Sequence, residues 1–175
     1  MKSYRCSNIC RCLMSKKILP KTTRGLWFYG LSGSGKTFAS SHLCSLIDHS
    51  FVIDGDMVRE YVSTDLTYTS ADRKKQIGRI FGIGKIAIEN QMFPIMSSVF
   101  MSDDLVLKCA SEKIFVIRIK RPFAQLQKVR DLYREEKNVV GKDLPLADLN
   151  TPTVENDGTD SFELMLAEYV KSVAT

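Results

Sequence analysis

The segment Gly30-Leu31-Ser32-Gly33-Ser34-Gly35-Lys36-Thr37 constrains this chain more than any other stretch, because it satisfies the pattern G-x-x-x-x-G-K-[ST] in full. Glycines at this spacing let consecutive backbone N–H groups curl around an anion, and the helix that follows adds the positive end of its dipole. Nucleotide phosphates fit such a nest. Lys36 offers a point charge to the outer phosphates and Thr37 a hydroxyl to Mg²⁺, so Gly30, Ser32, Gly33, Ser34, Gly35, Lys36 and Thr37 are the expected binding residues for a magnesium nucleotide. The motif is informative only between a strand and a helix. Leu26-Trp27-Phe28-Tyr29 reads as a buried strand, and Thr37 to Ile47 carries apolar residues at helical spacing.

The rest of the chain continues this alternation. Phe51-Val52-Ile53 reads as a second strand that stops at Asp54-Gly55-Asp56, and a helix is expected from Met57 to Val62. Ser70 to about Asn90 places Ile77, Ile80, Phe81, Gly84 and Ile88 along one helical face. Gly78, Gly82 and Gly84 lower its helix propensity, and close packing is the expected reason for them. Phe93 to Met96 and Ile114 to Ile119 read as strands, with Pro94 expected at a first position or on an edge. After Arg121-Pro122 the pattern gives a charged helix to about Lys137, a loop from Asn138 to Asp160 and a helix from Ser161 to Ala174. The expected fold class is α/β: a P-loop NTPase fold, a parallel sheet with helices on both faces and a small lid.

With 175 residues, 44% hydrophobic and 26% charged, the chain has the size and composition of one domain, expected over residues 24–175. The formal charge of +5 is local: no acidic residue precedes Asp48, and residues 1–23 form a basic arm expected to be disordered. No recognisable nucleic-acid module follows it, so no polynucleotide partner is expected. No apolar run approaches the roughly 20 residues of a membrane span, and the basic start lacks the apolar stretch of a secretory signal. The expected location is cytoplasmic, with no membrane association. Five cysteines without a secretion signal read as reduced thiols. Cys6, Cys10 and Cys12 lack the paired spacing of a zinc site, and Met14 offers an alternative start.

Asp54 and Asp56 follow the second strand, where a strand end in this fold faces the phosphates. One carboxylate there can position Mg²⁺ and the other can orient or deprotonate an attacking hydroxyl; an ordinary Asp-Gly turn is the alternative. Arg59, expected on the first turn of the next helix, could grip an anionic acceptor group, with Arg73, Arg79 and Lys85 on a helix bordering the same cleft. Lys120, Arg121, Lys128, Arg130 and Arg134 form a basic segment of the kind that closes over a nucleotide and brings arginine to the transferring phosphoryl group. A GTP switch shares the loop but needs an N-K-x-D element, which is absent.

On these residues the chain resembles the adenylylsulfate kinases, which phosphorylate the ribose 3′-hydroxyl of adenylyl sulfate with MgATP. Gly30 to Thr37 is similar to that family's G-L-S-G-S-G-K-T, and Asp54-Gly55-Asp56-Met57-Val58-Arg59 to its D-G-D-N-V-R. Asp72-Arg73 with Ile77, Arg79, Ile80 and Lys85 resembles D-R-x-x-N-I-R-R-I-G-x-x-A-K-L-F, and Lys137 to Pro145 resembles K-N-F-T-G-I-D-S-P. The likeness spans roughly residues 24–172.

The resemblance implies ATP as phosphate donor and Mg²⁺, with Lys36, Asp54 and Asp56 catalytic and Thr37 and Asp54 on the metal. It implies Asp56, Arg59, Arg73, Arg79, Lys137 and Asn138 on a small-molecule nucleotide acceptor, and a homodimer. Departures fall on the acceptor side. The two phenylalanines that sandwich adenine in the family align with Ala87 and Val139, and the first arginine of its R-R pair aligns with Gly78. Stacking is worth about 1 to 3 kcal/mol per base, so loss of both rings is expected to weaken adenosine binding. Cytidine diphosphoramidate, the acceptor of related kinases that make phosphoramidate decorations of bacterial capsules, is therefore the slightly favoured acceptor. The alternatives are a true adenylylsulfate kinase, a nucleotide-binding regulator that has lost catalysis and a kinase for a small metabolite unrelated to nucleotides.

Overall fold

The computed structural model describes residues 22–135 and 139–170, so residues 1–21, Lys137, Asn138 and the predicted end of the last helix lie outside the described residues. Five strands form one parallel sheet in the order β2-β3-β1-β4-β5. They are β1 (Gly25–Tyr29), β2 (Ser50–Asp54), β3 (Phe93–Ser98), β4 (Ile114–Lys120) and β5 (Thr153–Glu155). Between and after them run α1 (Lys36–Cys44), α2 (Gly55–Tyr61), α3 (Ser70–Glu89), α4 (Asp103–Ser111), α5 (Phe123–Val129), α6 (Leu132–Glu135) and α7 (Ser161–Val170).

Strand β1 is central and wholly buried, and its side chains alternate between the two faces of the sheet. Leu26 and Phe28 join Ala39 and Leu43 of α1 and Phe162 and Leu166 of α7. Trp27 and Tyr29 join Val58 of α2, Ile77, Ile80 and Ile88 of α3, and Leu105 and Cys109 of α4. Helices therefore cover both faces, as the alternating pattern requires. A third cluster of Leu126, Tyr133 and Val139 packs against Leu31 and forms the small lid beside the phosphate loop.

The sequence pattern misses two elements. Helix α4 is short, but Ser102 caps it by accepting from the Leu105 N–H, with Asp103 and Asp104 in its first turn. Strand β5 is only three residues long inside a polar stretch, and it exists because Arg118 to Lys120 of β4 offer it a ladder. The predicted charged helix breaks at Arg130, whose backbone is extended, and this carries the side chain across Gly33. Pro94 occupies the second position of an inner strand instead of a first position or an edge. The Phe93 N–H is directed to His49 of the β2 side, so the N–H that Pro94 lacks falls on the β1 side, ahead of the first β1 pair at Leu26 and Ile95.

Close packing explains only one of the three α3 glycines. A Cβ at Gly84 would lie 2.5 Å from the sulfur of fully buried Met96, whereas Gly78 and Gly82 have nothing within 4 Å. Changing Gly78 or Gly82 to Ala should accordingly stabilise the protein by about 0.5 to 1 kcal/mol through helix propensity. Gly84→Ala should destabilise it, since overpacking a core costs about 1 to 3 kcal/mol. Urea unfolding midpoints check this; a Gly84→Ala protein as stable as Gly78→Ala would contradict the packing account.

Candidate active site

The phosphate loop takes its shape from where its carbonyl groups can find donors. Gly33 and Gly35 have φ values of 79° and 104°, a region that disfavours side chains, and the turns they make send carbonyl oxygens outward. Those oxygens are met by protein donors: the Tyr133 hydroxyl on Ser32 at 2.8 Å, Arg121 on Gly33 at 3.4 Å and the Asn156 amide on Ser34 at 2.8 Å. Asn156 is buried and is itself held by the Gly158 N–H on its Oδ1. With the carbonyls engaged, the loop N–H groups are left for an anion. The Ser34 hydroxyl is fully buried and has no partner among the described residues.

Lys36 donates to the Leu31 carbonyl at 2.9 Å, which folds its ammonium back over the loop. Burial lowers its pKa to about 8, opposed by the nearby carboxylates of Asp56 and Asp54 and assisted by Arg130. Thr37 donates to Asp54 Oδ2 at 3.0 Å, Ser97 donates to the same oxygen at 2.9 Å, and the Asp56 N–H donates to Asp54 Oδ1 at 2.9 Å. Three elements, α1, β3 and α2, thus converge on one buried carboxylate. The side chain of Asp56 is exposed and no described residue donates to it.

A cleft of about 860 Å³ runs from this loop past Asp54, Gly55 and Asp56 to Arg59, Tyr68, Arg73 and Gln76, with Arg130, Leu132 and Val139 on the lid side. Lys36, Arg59, Arg73 and Arg130 outnumber its two carboxylates, so the cleft suits anions at both ends. Arg59 sits in the second turn of α2 instead of the first. Its guanidinium donates to Thr67 O at 3.0 Å and lies 4.5 Å from the centre of the Tyr68 ring, and Arg73 lies 5.4 Å from that ring while donating to Tyr68 O at 3.0 Å. Burial, followed by the neighbouring charge of Arg59, lowers the pKa of Arg73.

Gly30, Ser32, Gly33, Ser34, Gly35, Lys36, Thr37, Asp54, Asp56, Arg59 and Arg73 are gathered around this one cleft and its loop. Four positions singled out in the sequence fall elsewhere or are not described. Arg79 does not line the cleft; it pairs with Asp65 and donates to Val62 O, bracing the loop that carries Tyr68. Ala87 is buried and does not line the cleft, so a ring there would not stack on a base bound in it. Lys137 and Asn138 lie outside the described residues.

Sequence reasoning missed Tyr68, Gln76, Asn156 and Tyr133. Tyr68 carries a local signal, an aromatic immediately before the Thr69 helix cap. The others act through contacts distant in sequence, up to 122 residues for Asn156 and Ser34, and have no local signature.

The donor set fits a magnesium nucleotide. A P-loop holds the metal with its own hydroxyl and the phosphates, with few carboxylates, and here Thr37 and Asp54 stand side by side beside an N–H nest. No group of three or more His, Cys, Asp or Glu suited to a metal exists among the described residues.

Comparison with known proteins agrees with this geometry. Residues 22–141 match the sequence profile of adenylylsulphate kinase. The adenylyl-sulfate kinase of Bacillus licheniformis is 30% identical over 165 residues, covering 83% of this chain and 84% of that protein. A bifunctional enzyme CysN/CysC of Xylella fastidiosa is 32% identical over 87 residues, 47% of this chain, although the chain spans only 14% of that enzyme. The structure of the Mycobacterium tuberculosis APS kinase CysC in complex with AMPPNP and APS superimposes with a TM-score of 0.75 at 20% identity, over 89% of this chain and all of that one. No helix among the described residues is long and apolar enough to cross a membrane. From its phosphate loop through the lid, this chain belongs to the adenylylsulphate kinase family.

Proposed function

We propose that this protein transfers the γ-phosphate of ATP to the ribose 3′-hydroxyl of a 5′-modified nucleotide. The observation that carries this reading is the continuity of one cleft. The phosphate loop with its Thr37–Asp54 pair stands at one end, and a Tyr68 ring flanked by two arginines stands at the other. Phosphates favour the first end, and a base with an attached anion favours the second.

The roles divide by environment. Asp54, fixed by three hydrogen bonds, and Thr37 would hold Mg²⁺, which when bound neutralises charge on the phosphates. Asp56 is free of protein donors and exposed to the cleft, so it suits the attacking hydroxyl, orienting it and taking its proton. Arg130, crossing Gly33 from the lid, is placed for the charge that develops on the transferring phosphoryl group.

On the acceptor side, Ala87 is not in the cleft, whereas the Tyr68 ring is. Val139 does line the cleft and leaves one wall aliphatic, which suits the smaller pyrimidine of cytidine diphosphoramidate. Tyr68 gives adenylyl sulfate a ring to stack on and is the observation favouring that second reading. Steady-state turnover with each acceptor separates them: faster kcat/KM with cytidine diphosphoramidate supports the first reading, and faster kcat/KM with adenylyl sulfate overturns it.

Asp56→Asn should lower kcat by roughly 10² to 10⁴ while ATP binding by calorimetry stays within about threefold. Unchanged turnover would remove the role given to Asp56. Lys36 supplies a pH signature. Its pKa lies near 8 in the free protein, and a bound polyphosphate raises it, so binding must take up a proton above pH 8 and weaken as pH rises further. Titrations at pH 9 in buffers of different ionisation heat should read net proton uptake, and none at pH 7.

A further inference from the structure

We infer that Gln76 reads the 2′-hydroxyl of the acceptor nucleotide and so restricts the enzyme to ribonucleotides. Gln76 lies on α3, is 5% exposed and lines the cleft. Its Nε2 donates to the Gly55 carbonyl at 2.9 Å, across 21 residues of sequence. A carbonyl only accepts, so the bond to Gly55 fixes which end of the amide faces the Asp54-Gly55-Asp56 turn. Oε1 must then point the other way, and it has no partner among the described residues although it is buried.

A buried acceptor without a donor is unfavourable, and the neighbouring groups do not correct it. Asp54 and Asp56 can only accept when ionised, Ile77 and Ile80 offer nothing polar, and none of the donors lining the cleft, Arg59, Arg73, Ser97 and Ser98 among them, bonds to Oε1. The missing donor is therefore supplied by the ligand. This inference rests on the nucleotide reading above. In that reading the base takes Tyr68, the 5′ anion takes Arg59 and Arg73, and the reacting 3′-hydroxyl takes Asp56. Gln76 is tethered to the residue immediately before Asp56, so the donor closest to it is the hydroxyl vicinal to the reacting one. Hydrogen bonding to a substrate hydroxyl discriminates well against its deoxy analogue, because the analogue leaves a buried protein group unpaired.

The test compares kcat/KM for the acceptor, adenylyl sulfate or cytidine diphosphoramidate, with that for its 2′-deoxy analogue, in the full chain and in Gln76→Met. The wild-type protein should favour the ribonucleotide by roughly tenfold or more. Gln76→Met, which keeps the length and apolar contacts, should bring the two within about twofold. Loss of the Gly55 tether slows both acceptors alike and leaves the ratio untouched, so the ratio isolates Oε1. The wild-type ratio needs no variant to fold. Equal wild-type rates, or a ratio that persists in Gln76→Met, overturn the Gln76 assignment while the 3′-kinase reading stands. No phosphorylation of any nucleotide overturns both.

Discussion

Asp54 ends strand β2 with its carboxylate 8% exposed, and burying that charge is tolerable only if its oxygens are given donors. Thr37, Ser97 and the Asp56 N–H provide them, and each comes from a different element. The same three bonds fix the start of α1, the end of β3 and the cap of α2 against one another. The distance between the phosphate loop and the exposed Asp56 is thereby set by one buried group.

The loop itself is held from outside. Its glycines permit the fold of the nest, but Tyr133, Arg121 and Asn156 decide it by capturing the outward carbonyls of Ser32, Gly33 and Ser34. These donors come from the lid, the end of β4 and the turn after β5. The lid is thus bonded to the loop it covers, and its conformation and that of the anion site are coupled. Arg130, which leaves α5 in an extended conformation, is the side chain this coupling delivers to the cleft.

The end of the cleft away from the phosphate loop is organised around Tyr68. Two guanidiniums flank its ring, and both also donate to carbonyls of the loop that carries it. Asp72 accepts from the N–H and hydroxyl of Thr67, and Arg79 pairs with Asp65, so the first half of α3 acts as a brace for that loop. Arg79 therefore contacts the loop that carries Tyr68 and does not line the cleft. Burial and the neighbouring charge of Arg59 both lower the pKa of Arg73.

The sequence by itself determined the alternation of strands and helices, because β1 had to bury both faces and α3 carried a regular apolar stripe. It also determined the phosphate loop and the Asp54-Gly55-Asp56 turn, because those chemistries depend on residues adjacent in the chain. Local pattern was enough wherever the physics was local. The tertiary structure alone decided which side chains meet across the cleft. It buried Ala87, brought the Tyr68 ring to the cleft, drew Arg79 to Asp65 and tethered Gln76 to Gly55. The places of Ala87, Arg79 and Gln76 depend on how α3 is rotated against the sheet, which is set by the packing of Ile77, Ile80, Gly84 and Ile88 on Met96 and its neighbours. A rotation set by packing at long sequence separation leaves no trace in spacing, and it is the reason the phosphate loop was legible and the side chains that meet it across the cleft were not.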